Sequence, residues 1–217
     1  MMARPPLGSV YGVILNDQHS LALLASQFAQ APYQTPPKAP VLYIKPRNTF
    51  VDSGSSITLP KGEHSVEVGA SLGLVIGKPA SRVNAAQALE HISGVMSVAD
   101  LSLPHDSYYR PAIREKCFDG ACPMATHLSP WSEVQHLMPL SLHTLINDQI
   151  VSTRSISDAL RSIPQLLQDI SEFITLNRGD VLLIGVPYRA PQAQSGDNVQ
   201  ISIEGLESLH FKVEAAA

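Results

Sequence analysis

The chain has 217 residues, 44% of them hydrophobic, which is enough for one sizeable core and one domain with or without a small appendage. Net charge is -4 and charged residues make up only 16%, so no basic surface for nucleic acid is expected and area is left free for subunit contacts. No apolar run reaches the roughly 18 residues of a membrane helix, and the start, MMARPPLGSVYGVIL, lacks an apolar signal core, so a cytoplasmic protein without membrane attachment is expected.

In chain order, SVYGVIL (residues 9–15) reads as a strand, and residues 19–30 place Leu21, Leu24, Ala25 and Phe28 at helical spacing. A proline-rich connector leads to the short strands VLYIK and SSITLP. VEVGASLGLVIGK (66–78) alternates as a longer strand, on which Gly69 and Ser71 face the same way. NAAQALEHI fits a short helix with Asn84 as N-cap, and SGVMSVADLS is a strand running into a loop through residue 123. Residues 137–155 alternate on both sides of Asn147-Asp148 and predict a hairpin. SIPQLLQDISEFITL predicts a helix with Ser162 as N-cap, Pro164 in the first turn, and Leu166, Leu167, Ile170, Phe173 and Ile174 as its apolar stripe. The strands VLLIGVP, VQISIEG and SLHFKVE follow. Strands outnumber helices, which predicts a β-rich α+β fold with short peripheral helices.

No phosphate-binding glycine loop, G-x-S-x-G or H-E-x-x-H is present. The eight histidines are scattered, and His143, alternating with Leu142 and Leu145, reads as an ordinary hairpin residue. Cys117 and Cys122 lack the second ligand pair of a zinc site and are expected to stay reduced, with a local packing role. Two places carry chemistry. Asp100, where SVADLS leaves its strand, is either a metal-binding or catalytic carboxylate or an aspartate capping the loop through Ser102. The loop YYRPAIREKCFDGACP gathers Tyr108, Arg110, Arg114 and Lys116, either to bind a multiply charged carboxylate or as charges that balance one another in solvent.

The pieces IKP, VIGK, GVMSVADLS, KCFDGACP, the helix–NRGD–VLLIGVP run and IEGLESL share their order and spacing with the fumarylacetoacetate hydrolase family, which the chain resembles from VLYIKP to about Val213. The resemblance implies the family's mixed β-roll over residues 39–217, preceded by an N-terminal α/β segment, 1–38. It also implies decarboxylation and double-bond isomerisation of small dicarboxylates and tricarboxylates. IKPRNT with SYYRPAIREKCFDGACP resembles one repeat of the family's tandem-repeat decarboxylase/isomerases.

In the family a magnesium or manganese ion held by three carboxylates chelates a 2-oxo acid and stabilises an enolate. By resemblance the aspartate ligand falls on Asp100, and the two glutamates fall on Gly69 and Ser71. Asp100 is then a vestigial ligand position. Glu67 shares that face but would need a bulge to take a ligand position. The family's Asn becomes Ala99, an Arg becomes Pro104, and two hydroxyls become Ile184 and Val186. Lys116 and Asp119 retain the family's catalytic Lys-x-x-Asp pair, and Tyr108, Arg110 and Arg114 are the substrate-binding candidates. The resemblance therefore implies a subunit that pairs with a homologous metal-binding subunit, or forms a homodimer, and leaves the metal to its partner. Two other readings remain: a non-catalytic scaffold, and a self-sufficient enzyme using Asp100 with Glu67. It also sets the expectation that Gly69→Glu with Ser71→Glu restores metal affinity.

Overall fold

The computed structural model describes residues 1–105 and 111–216. It is mostly β-sheet with a few short helices, as the strand count predicts. Two mixed sheets face each other. The first runs in the order Met2–Ala3, His127–Pro130, Ile92–Ser102, Ser65–Ile76, Val181–Leu183, Val10–Ile14, Val41–Lys45. The second runs Gln149–Ser155, Ser141–Ile146, Asn198–Ile203, Leu209–Glu214, Ser56–Thr58. Among the described residues no helix is long and apolar enough to cross a membrane.

The antiparallel pair Ser65–Ile76 and Ile92–Ser102 is the spine of the molecule. Its register is unbroken from Glu67↔Ser102 to Val75↔Gly94, and the irregularity falls after Val75. One face of this pair carries Val68, Ala70, Leu72 and Leu74 with Val95, Ala99 and Leu101, all buried, and shares a core with Leu142, Ile201, Leu209 and Phe211 of the second sheet. The opposite face divides along its length. At one end Val75, Met96 and Val98 join a second core with Val10, Met124 and Val181. At the other end stand Glu67, Gly69, Asp100 and Ser102. Strand parity thus delivers a polar patch to one end of an otherwise apolar surface.

Local signals explain the helices. Asp17 caps the Gln18–Phe28 helix by accepting from Ser20 N at 2.8 Å, and Leu24 and Phe28 are buried beneath it. Ser162 caps Ile163–Ser171, with Pro164 in its first turn and Leu166, Leu167 and Ile170 fully buried. That helix stops at Ser171, so Phe173, expected on the apolar stripe, lies beyond it and is exposed. The helix expected over NAAQALEHI shrinks to a 3-10 turn, Ala88–His91, while Asn84 Oδ1 accepts from Gln87 N at 3.0 Å and caps only a turn. The hairpin forms as predicted, with φ of 50° at Asn147 and 64° at Asp148, the left-handed pair a two-residue turn needs.

Candidate functional site

The polar end of the spine is completed from the sheet's edge. Val10–Ile14 pairs in parallel with Val181–Leu183 and antiparallel with Val41–Lys45. Parity sends Tyr43 and Lys45 to the same face. Gly12 lies directly opposite Tyr43, and a Cβ there would overlap the tyrosine ring, so the missing side chain is what lets Tyr43 lie across Gly12. From there the Tyr43 hydroxyl donates to Asp100 Oδ2.

Lys45 is fully buried. Its Nζ donates to the carbonyls of Leu101 (2.7 Å), Lys116 (2.7 Å) and Ala121 (3.0 Å) and stands 2.7 Å from Asp100 Oδ1. Lys116, from the one-turn helix Ile113–Lys116, places its Nζ 2.9 Å from Asp100 Oδ2 and 4.7 Å from the centre of the Tyr43 ring. Burial by itself would raise the Asp100 pKa, but the ammonium groups of Lys116 and then Lys45, with the Tyr43 hydrogen bond, hold it well below the carboxylate range. Burial pulls the Lys45 pKa down, and Asp100 opposes that pull. Asp100 is therefore an ionised carboxylate inside a two-lysine clamp, and the loop-capping reading fails. Ser102 Oγ turns instead to Leu103 O at 3.1 Å.

Gly69 sits directly across from Asp100, as expected of a position on the same face. Ser71, two residues on, is fully buried and donates to Gly185 O at 3.2 Å. Val186 has closed over Gly69: a Cβ there would stand 2.6 Å from Val186 Cγ1 and 2.8 Å from Asp100 O. Glu67 shares the cavity of Asp100, but the unbroken register contains no bulge to move it into a ligand position.

These residues do not fit a magnesium or manganese ion. Such an ion needs several free oxygens, usually carboxylates, around it. Here Asp100 Oδ2 accepts from Tyr43 and Lys116, Oδ1 faces the Lys45 ammonium without a hydrogen bond, and among the described residues no third carboxylate converges. Among the described residues no group of three His, Cys, Asp or Glu side chains is placed to hold a metal. The space enclosed by Glu67, Gly69, Asp100, Ser102 and Lys116 measures about 20 Å³, room for about one water.

The other expected site residues disperse. Arg114 is exposed and pairs with Glu63 at 2.7 Å. Asp119 is also exposed and accepts from Asn48 Nδ2 at 2.7 Å. Tyr108 and Arg110 lie outside the described residues. Cys117 and Cys122 are free thiols, and burial pushes Cys122 up to about 12, which removes it as a nucleophile. His143 meets Thr153 Oγ1 at 3.0 Å across the hairpin. Sequence reasoning missed Tyr43 and Lys45. The available signal was a lysine and a tyrosine two apart on a short apolar strand, opposite a glycine.

Residues 9–214 match the family model for the fumarylacetoacetate (FAA) hydrolase C-terminal region. The chain belongs to that family. It is 41% identical over 208 residues to the 4-hydroxyphenylacetate degradation bifunctional isomerase/decarboxylase of Salmonella dublin, covering 96% of this chain and 47% of that protein. It thus spans about half the length of that relative. It is 30% identical over 183 residues to the mitochondrial oxaloacetate tautomerase fahd-1 of Caenorhabditis elegans, covering 82% of this chain and 85% of the other. Among solved structures, 5-carboxymethyl-2-hydroxymuconate delta-isomerase from Mycobacterium smegmatis matches with a TM-score of 0.82 at 28% identity, over all of this chain and 82% of that one. Fumarylpyruvate hydrolase from Pseudomonas aeruginosa, solved with Mn2+ and pyruvate, matches with a TM-score of 0.83 at 21% identity, over 97% of this chain and 91% of that one, a likeness of fold. The FAA hydrolase fold is therefore intact here, while the residues at the centre of its polar face are committed to one another.

Proposed function

We propose that this chain is a metal-free repeat of the decarboxylase/isomerase of 4-hydroxyphenylacetate catabolism. The enzyme's reactions would be decarboxylation of 5-oxopent-3-ene-1,2,5-tricarboxylate and isomerisation of 2-hydroxyhepta-2,4-diene-1,7-dioate. A homologous partner subunit holds the divalent ion and carries the chemistry, while this chain supports the partner's structure. The observation behind the reading is the clamp on Asp100: Lys45, Lys116 and Tyr43 crowd both oxygens of the one carboxylate left at a ligand position. The 41% identity to the Salmonella dublin enzyme over half that enzyme's length supplies the reaction class.

The test has two arms. The chain alone is titrated with Mn2+ by calorimetry and assayed for decarboxylation, and it is then mixed with a relative carrying an intact Glu-x-Glu strand. The expected results are no metal binding and no turnover alone, with a change in the relative's rate or thermal midpoint on mixing. Turnover by the chain alone would overturn the reading and favour a self-sufficient enzyme using Glu67, which shares the cavity of Asp100. Silence in both arms would leave a scaffold, a reading favoured by the structural pairings of Arg114 and Asp119.

A further inference from the structure

A second, larger cavity adjoins the clamp and shares Lys116 with it. It measures about 430 Å³, within the range of roughly 300–1,000 Å³ typical of small-molecule sites. It lies between the edge strand Val41–Lys45 and the short helix Ile113–Lys116, and Ile14, Leu42, Ile44 and Ile113 form much of its wall. Ile44 and Ile113 are 55% and 65% exposed, an unusual surface for the edge of a sheet. Its one charged side chain among the described residues, apart from the titratable His105, is Lys116.

Glu67 is the second carboxylate at that end, but both lysines turn to Asp100. Two ammonium groups, Lys45 and Lys116, share a single carboxylate, Asp100, and all three are buried. Lys45 spends its donors on three backbone carbonyls. Among the described residues Lys116 Nζ hydrogen-bonds only to Asp100 Oδ2, which leaves two of its three N–H groups for another acceptor. Glu67 lines the small cavity but not the large one. Unused N–H donors of a lysine at the end of an apolar groove ask for an anion attached to an apolar body.

We propose that the groove between Val41–Lys45 and Ile113–Lys116 binds an amphipathic monocarboxylate, its carboxylate on Lys116 beside the Tyr43 ring and its apolar body along Ile44 and Ile113. The ligand class differs from the polar dicarboxylates and tricarboxylates of the proposed reaction, because among the described residues the groove offers a second carboxylate no second lysine or arginine. The inference does not depend on the subunit role, since the groove is built from this chain alone.

The test is calorimetry on the intact chain with 4-phenylbutyrate, its neutral amide 4-phenylbutyramide, and the dicarboxylate suberate. Binding of 4-phenylbutyrate is expected, with the amide and suberate each at least about tenfold weaker. Lys116→Met should weaken the acid about tenfold and bring acid and amide together. Because that change disturbs a buried cluster, Ile113→Asp provides a variant at an exposed position. It should weaken 4-phenylbutyrate about tenfold, while Ile150→Asp, exposed on the far hairpin, leaves it unchanged. Equal binding of acid and amide, suberate binding as tightly as the monoacid, indifference to Ile113→Asp, or no binding at about 10 mM would each overturn the proposal.

Discussion

Asp100 contributes stability through its charge, and the contribution has a definite sign with pH. Its folded pKa lies below the ordinary 3.8, so its stabilisation is complete above that value and drains away as pH falls toward the folded pKa. Asp100→Asn strands two buried ammonium groups and should cost about 3–5 kcal/mol at neutral pH. The gap between wild type and Asp100→Asn in urea unfolding should hold down to pH ~5 and narrow toward pH ~3. A gap independent of pH would show that the carboxylate charge is not what the lysines hold. At this scale the sequence was only partly legible. The parity of Gly69, Ser71 and Asp100 follows from a period of two. The engagement of Asp100 by Tyr43 and Lys45 does not, because nothing local tells which strand lies beside Ile92–Ser102 or what hangs over it.

Among elements, the shared core of the two sheets is supplemented by a polar join through Asp17 and Arg154. Asp17 Oδ2 takes both the backbone and the hydroxyl of Ser20, at 2.8 and 2.5 Å, and its Oδ1 lies 3.3 Å from Arg154 Nη2. Arg154 reaches over from the Gln149–Ser155 strand, and its Nη1 also meets Ala70 O and Gly185 O, both at 3.3 Å. One aspartate therefore starts a helix and anchors a hairpin from the other sheet. Asp17→Asn keeps an N-cap acceptor but loses the ion pair, whereas Asp17→Ala loses both. The alanine variant should be less stable than the asparagine variant by about 1 kcal/mol in urea unfolding. Equal stabilities would mean the cap contributes nothing. Long or strongly periodic elements were readable from sequence: the spine strand and the hairpin form where the pattern places them, and the capped helix starts where expected but ends early, at Ser171. Cys122–Met124 and His127–Pro130 were not. They are three and four residues long, and each carries a proline, so neither length nor alternation registers.

For the molecule as a whole, the question is whether the family's metal chemistry can be returned to this frame by restoring the missing carboxylates. The resemblance favours Gly69→Glu with Ser71→Glu, and the packing argues against it. Val186 can rotate away from a new Cβ at position 69, but Asp100 O belongs to the strand ladder, and Ser71 is fully enclosed. The double variant should show a lower thermal midpoint and no rise in that midpoint on adding Mn2+. A Mn2+-dependent rise would show that the frame relaxes more readily than its contacts suggest. The overall β-rich architecture was legible from strand count and turn residues. The closing of Val186 over Gly69 was not, because it joins segments more than a hundred residues apart.

The placement of Val10–Ile14 also bears on how the chain comes to exist. One of its neighbours is Val181–Leu183, and Ser9 N donates to Asp180 Oδ1, 171 residues further on. At the ribosome that interval lasts on the order of ten seconds. Until it ends, Val10–Ile14 and Val41–Lys45 have only each other, and a lone two-stranded hairpin is marginal in water. Tyr43 and Lys45 ride on that hairpin. The Lys45 charge is translated early and hidden late, so its desolvation is deferred until the sheet that surrounds it has been made.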